Sequence, residues 1–274
     1  MKIELQDVSF QYPSGVWAVD SVSLSIPPGQ LVAIVGENGA GKTTLVKMLN
    51  GLLRPTRGKV WVGNWDTAEY SPAKLAARVG FLFQNPDDQL FERTVAREVA
   101  YGPQNLGVGL AEVESRVQSA LELVGLQDEA GAHPYDLPQP QRKLLALAAT
   151  IAMETPILVL DEPTIGQDEA GQQAVGRILQ DLHTMGRTLV MITHDVDFCA
   201  EHAQRLVVML DGRVHLDGPA QHVFAQARKL AQAAVTPPQL VRLAKSLRMP
   251  GAPLTVDEFV SDYKQWRKKK KTKN

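Results

Sequence analysis

One octapeptide restricts this chain more than any other feature. Gly36-Glu37-Asn38-Gly39-Ala40-Gly41-Lys42-Thr43 follows an unbroken apolar run, Leu31 to Val35, and leads into an amphipathic stretch from Thr44 to Leu53. A buried strand, a glycine-rich turn ending in Gly-Lys-Thr, and a helix together form the pattern that wraps backbone N–H groups around a polyphosphate. By average composition the four fixed positions recur by chance in about one chain in a hundred of this length. The glycines let the backbone curl closely, so Asn38, Gly39, Ala40 and Gly41 supply the cradle and Thr44 closes it. Lys42 is expected to reach the β- and γ-phosphates. Thr43 offers a hydroxyl to Mg²⁺, which takes hard oxygen ligands and keeps several waters.

A second ligand for that ion is needed, and Ile157-Leu158-Val159-Leu160-Asp161-Glu162 supplies a candidate. It reads as a buried strand that delivers two acids at its C-terminal end, where open α/β sheets bind ligands. Taken alone, an acidic pair after a strand is equally a helix-capping turn. Beside a phosphate loop, Asp161 becomes the outer ligand for Mg²⁺ and Glu162 the group that polarises an attacking water.

The rest of the chain organises around these two strands. Ile3, Leu5, Val8 and Phe10, then Val22, Leu24 and Ile26, alternate with polar residues and predict opening strands. Continuous apolar runs at 31–35, 157–160 and 189–192, interleaved with helical stretches, predict an α/β domain with a mostly parallel sheet. Between about 72 and 150 helical periodicity takes over, with Val113, Val117, Leu121 and Val124 on one face. Val207–Leu210, Asp211-Gly212 and Arg213–Leu216 form a hairpin signal, because Asp-Gly suits a type I′ turn. After about 228 comes a helical unit carrying Leu240, Leu243 and Leu247. A second helix then opens at the capping box Thr255…Glu258, with Phe259, Tyr263 and Trp266 on one face.

Composition excludes several alternatives. With 274 residues, 44% hydrophobic and 22% charged, the chain is neither disordered nor fibrous. A single cysteine, Cys199, allows no internal disulfide, and irregular histidine spacing argues against structural zinc. No apolar run approaches the roughly 20 residues of a membrane span, and the start lacks a secretion signal, so a cytoplasmic chain is expected. Six of the last eight residues are Lys or Arg, and without them 23 basic face 30 acidic residues. So acidic a body gives no general support for nucleic-acid binding.

With these motifs in order, the chain resembles the ATP-binding cassette family over most of residues 1–225. Three further places carry the likeness: Gln84 after the strand-like 79–83, Asp161-Glu162-Pro163-Thr164, and His194 in Ile192-Thr193-His194-Asp195. The resemblance implies that Gln84 lines the metal and water and senses the membrane partner. It makes Glu162 the general base, His194 a contact to the γ-phosphate of ATP, and Tyr12 the aromatic stacked on adenine. The implied fold is a P-loop NTPase core with a mostly parallel sheet, an N-terminal antiparallel β-subdomain, a helical subdomain insert and a small C-terminal helical extension. The domains fall at 1–227 (helical subdomain about 85–150), a dimerisation extension at 228–266, and a basic tail at 267–274. Phe83-Gln84-Asn85-Pro86-Asp87-Asp88-Gln89-Leu90-Phe91 looks like the energy-coupling-factor branch. Its ATPases drive import of vitamins or metal ions through a membrane scaffold and a substrate-binding membrane subunit. That implies a peripheral place on the cytoplasmic face of the membrane.

One departure matters. Where the family has Leu-Ser-Gly-Gly-Gln, which closes over ATP held by the opposite subunit, this chain has Leu137-Pro138-Gln139-Pro140-Gln141. Pro138 has no hydroxyl and Pro140 has no N–H. Hydrogen bonds to charged groups are worth about 1.5–3 kcal/mol each, so this closing face is weak. A heterodimer with an ATPase bearing an intact segment is therefore expected. The turn Ile165-Gly166-Gln167-Asp168 also lacks the family's serine, although Asp168 is kept. Two rival functions stay open: a nucleotide-binding regulatory cassette with little turnover, and a soluble nucleic-acid-associated ATPase suggested by Arg267–Lys271.

Overall fold

A computed structural model describes residues 1–271. The chain opens with β1 (Ile3–Gln11) and β2 (Trp17–Ile26), then β3 (Leu31–Val35), α1 (Lys42–Lys47), β4 (Arg57–Val62) and β5 (Trp65–Asp66). Next come α2 (Pro72–Leu75), β6 (Val79–Leu82), and the helices α3 (Val95–Asn105), α4 (Leu110–Val124) and α5 (Gln139–Ala152). The α/β alternation resumes with β7 (Ile157–Asp161), α6 (Glu169–Thr184), β8 (Thr188–Ile192), α7 (Val196–His202), β9 (Arg205–Leu210) and β10 (Arg213–Pro219). It ends in α8 (Ala220–Phe224), α9 (Ala227–Gln232), α10 (Gln239–Ser246) and α11 (Val256–Lys271).

The strands form two sheets. One is antiparallel in the order β2-β1-β4-β5; the other runs β10-β9-β3-β8-β7-β6 and is parallel except for its β9-β10 hairpin edge. The unbroken apolar runs are explained by two cores. Because side chains alternate across a strand, Val32 and Ile34 of β3 face the antiparallel sheet and α1, while Leu31, Ala33 and Val35 face the helices on the other side. Ile157 and Val159 divide from Leu158 and Leu160 in the same way.

Local irregularities match the sequence. The alternation slips between Leu5 and Val8 because a bulge intervenes, with Asp7 at φ 49°. Asp211 and Gly212 take φ 49° and 75°, as a type I′ turn requires. Thr255 Oγ1 accepts from Glu258 N at 3.3 Å, but the Glu258 carboxylate reaches back to Leu254 N at 2.8 Å, one residue before the cap.

The C-terminal unit differs from expectation in two respects. The packed face of α10 is Val241 and Ala244, while Leu243 and Leu247 are exposed, because the short helix seats its smaller residues against the body. Helix α11 runs on through Lys271 rather than stopping at Trp266. Residues 272–274 of the expected basic tail lie outside the described residues. Among those described, no helix is long and apolar enough to cross a membrane.

Candidate nucleotide site

The loop between β3 and α1 owes its shape to glycine. Gly36 and Gly41 have φ 147° and 91°, and a Cβ on them would lie 2.3 Å from Met209 O and 2.0 Å from Ala18 O. No other residue fits so close to backbone. Lys42 curls back over the loop and donates to the carbonyls of Gly36 and Glu37, both at 2.8 Å. Burial lowers its pKa, opposed by Glu162, Asp161 and Glu37 nearby.

A cleft of about 400 Å³ opens over this loop, lined by Asn38, Gly39, Gly41, Lys42, Thr43 and Thr44 together with Gln84, Asp161 and Glu162 and with Tyr12, Val16 and Trp17. The cleft therefore gathers most of the residues that the sequence singled out. Ala40 is an exception: its side chain is buried in the core below, and its N–H turns onto Glu37 O at 3.2 Å. Tyr12 is fixed by a 3.0 Å hydrogen bond between its hydroxyl and Thr44 Oγ1 and by edge-on packing against Phe10.

Asp161 and Glu162 arrive at the end of β7, two strands along from β3 with β8 between them. Thr43 Oγ1 donates to Asp161 Oδ2 at 3.1 Å, joining the two motifs. Asp161 is 3% exposed, and burial raises its pKa, opposed by the Thr43 hydrogen bond and reinforced by Glu162. Glu162 holds a left-handed backbone, φ 50°, which costs a non-glycine residue about 1–3 kcal/mol. Its N–H is tied to Ile192 O at 2.8 Å, and Oε1 meets His194 Nδ1 at 2.9 Å. Its other oxygen, Oε2, is buried without a hydrogen-bond partner among the described residues. His194 does not line the cleft; it joins through Glu162.

These donors suit magnesium. They are hard oxygens, and two buried acids of like charge call for a cation. Among the described residues no cluster of three His, Cys, Asp or Glu could hold a metal alone.

Leu137 to Gln141 lie at the start of α5. Leu137 is buried, Pro138 caps the helix, and Pro138, Gln139 and Pro140 are exposed together. A helix start normally presents four free N–H groups. Here two of the four positions, Pro138 and Pro140, are proline, so half of the donors are missing. Asp168 caps α6, accepting from Gly171 N at 2.8 Å.

Sequence reasoning missed Trp17, which walls the cleft with the Arg57 guanidinium 5.2 Å from its ring. It also missed Lys143, 2% exposed and donating to three backbone carbonyls. A signal for Lys143 existed: it shares the apolar face of α5 with Ala146, Leu147 and Thr150, at helical spacing. Burial pulls its pKa down to about 8 despite the pull of Asp161 and Glu162.

A glycine cradle at a helix start, with an acidic pair two strands along in a mostly parallel sheet, defines a P-loop nucleoside triphosphatase. Residues 19–165 match the family model described as ABC transporter, and the chain belongs to that family of ATP-hydrolysing transporter subunits. It is 37% identical to the energy-coupling factor transporter ATP-binding protein EcfA of Methanocaldococcus jannaschii, over 89% of this chain and 88% of that one. A putative ABC transporter ATP-binding protein of Methanosarcina acetivorans is 39% identical over 96% of this chain, which spans only 43% of that relative's length. Among solved structures, cbiO1 of Clostridium perfringens, part of the ABC transporter complex cbiONQ, superposes with TM-score 0.75 at 31% identity, covering 90% of this chain and 98% of that one.

Proposed function

We propose that this chain binds and hydrolyses Mg·ATP to energise an energy-coupling-factor type importer of a vitamin or transition-metal ion. It works paired with a second ATPase that carries an intact closing segment. The observation that carries this reading is Glu162. A carboxylate on a residue that lines the phosphate cleft, with one oxygen bonded to His194 and the other buried and unbonded, suits a base that takes a proton from an attacking water. Lys42 exchanges its loop carbonyls for phosphate oxygens, Thr43 and Asp161 hold the ion, and Gln84 lines the same space. When bound, Mg²⁺ neutralises charge developing on the transferred phosphoryl group. Tyr12 stacks on the adenine ring, with Trp17 beside it in the lining of the cleft.

The two prolines at the start of α5 support the heterodimer. The site holding ATP on this chain receives the partner's intact lid and turns over; the site this chain closes is impaired, and there the second reading, binding with little turnover, applies. The relatives named for energy coupling and for cbiONQ support membrane partners: a coupling scaffold and a substrate-binding subunit reached from the cytoplasmic face. No specific nucleic-acid partner is proposed. The test is to purify this chain with its candidate partners from solubilised membranes, identify the accompanying chains, and compare ATP hydrolysis with and without Glu162→Gln. Hydrolysis equal in both complexes removes Glu162 from the role of base, and recovery of a homodimer alone removes the heterodimer.

A further inference from the structure

Lys143 occupies a position that the phosphate chemistry by itself does not explain. An ammonium group has three N–H donors. Here they go to Phe83 O at 2.7 Å, Gln84 O at 2.8 Å and Asp161 O at 3.1 Å. All three acceptors are backbone, so the lysine forms no ion pair with a carboxylate oxygen of the cleft. The side chain is 2% exposed, and burying a charge this deeply is costly unless every donor is satisfied.

The three carbonyls lie where the sheet stops. The pairing of β6 with β7 ends at Leu82 opposite Leu160, so the next residues, Phe83, Gln84 and Asp161, have no ladder between them. Those are the backbone units that carry two groups facing the ion. Asp161 is still paired to β8, opposite Ile192, but Gln84 has left the sheet altogether. Lys143 bridges the gap from a different element, helix α5, whose first turn is the altered closing segment.

We propose that Lys143 is a positioning residue that holds the backbones of Gln84 and Asp161 at one spacing and ties that spacing to helix α5. It touches neither substrate nor ion; it acts through the two residues whose side chains do. A movement of α5, the helix that begins at the closing segment, is thereby carried to both sides of the metal position. Gln89 braces the same segment differently: its Oε1 accepts from Phe83 N at 3.2 Å, and its amide donates to Ala146 O and Thr150 Oγ1 on α5, without reaching Asp161.

The inference rests on the assignment of Gln84 and Asp161 to the metal made above, and the experiment separates the two. Fluorescent ATP is titrated into the full chain with its partner, once with excess Mg²⁺ and once in EDTA, and the ratio of the two affinities measures the metal-dependent part of binding. Lys143→Met is expected to leave the affinity in EDTA within about threefold and to reduce the Mg²⁺ advantage about tenfold or more, as loss of an orienting partner does at metal sites. Gln89→Met is expected to keep that advantage within about twofold, because it leaves Asp161 untouched. An equal loss in both variants, or in both media, would mean that Lys143 merely braces the core and would overturn the proposal. So would a Lys143→Met chain with an unchanged ratio. If Lys143→Met melts below the assay temperature, Lys143→Gln is measured in its place; should neither fold, the positioning role is withdrawn in favour of a purely structural one. If the parent itself shows no preference for Mg²⁺, the metal assignment fails, whatever Lys143 does.

Discussion

The side-chain amide of Gln167 donates to the carbonyl of Pro140 at 2.9 Å, fastening the turn after the acidic pair to the first turn of α5. Both residues stand where the chain departs from its family, one in the closing segment and one in the turn that precedes Asp168. The departures are therefore in contact, and the segment proposed to close over a partner's ATP is anchored within its own chain. Arg142 adds a second tie, 3.0 Å from Asp87, next to the loop that carries Gln84. A closing face held this way and short of two N–H donors has measurable consequences.

Restoring the donors should restore the face. The double change Pro138→Ser, Pro140→Gly returns a hydroxyl and two N–H groups, each worth about 1.5–3 kcal/mol where it meets a charged phosphate. Hydrolysis by this chain without a partner is expected to rise about tenfold or more. The glycine also loosens the helix start, at a cost near 1 kcal/mol visible in the melting curve. A rate that stays flat while the protein remains folded contradicts the account of the lid.

Glu162→Gln keeps the shape of the side chain and removes its ability to accept a proton. Single-turnover hydrolysis in the complex is expected to fall by about 10²–10⁴, with ATP affinity nearly unchanged. His194→Ala should lower the rate by a smaller factor, because the Glu162 backbone stays tied to Ile192 O. The opposite ranking of the two variants would shift the proton-accepting role to the imidazole.

Gly41→Ala tests the cradle. Its Cβ would lie 2.0 Å from Ala18 O at φ 91°, so the loop must move. Left-handed backbone alone costs about 1–2 kcal/mol, lowering Tm by about 2–8 °C, and the displaced N–H groups should abolish ATP uptake by calorimetry. Retained binding at full affinity would show that the cradle does not depend on this glycine.

Cys199 offers a check on the helical core. It is fully buried, and burial raises its thiol pKa well above the free value. A thiol reagent at pH 8 should find no reactive group in the native chain and one after denaturation. Prompt modification in the native state would mean that the packing of α7 against the sheet is wrong.

Much of the site was legible because its chemistry sits in short contiguous stretches. The phosphate loop, the acid pair and the Asp-Gly turn each combine residues whose backbone demands are local, so spacing alone exposes them. Trp17, Lys143 and the exposed leucines of α10 were not legible for the opposite reason. A tryptophan at the first position of a strand and a lysine inside an apolar helix acquire roles only from what lies across the fold. The stripe of Leu240, Leu243 and Leu247 looked like a packing face, yet the body receives Val241 and Ala244 instead. One helix turn offers several apolar faces, and the neighbour selects among them.

By itself, then, the order of residues determined a glycine-rich loop between a buried strand and a helix, an acid pair at the end of a second buried strand, and two prolines in the segment proposed to close over ATP. Those are properties of covalent structure and local dihedral preference, and they hold wherever the segment is put. Only the tertiary structure decided that Thr43 bonds Asp161 across an intervening strand, that one oxygen of Glu162 is left unbonded, and that Lys143 joins two strand ends to α5. Each of these depends on groups from 18 to 118 residues apart being brought within hydrogen-bond reach by burial of two apolar cores, one on either side of a single sheet.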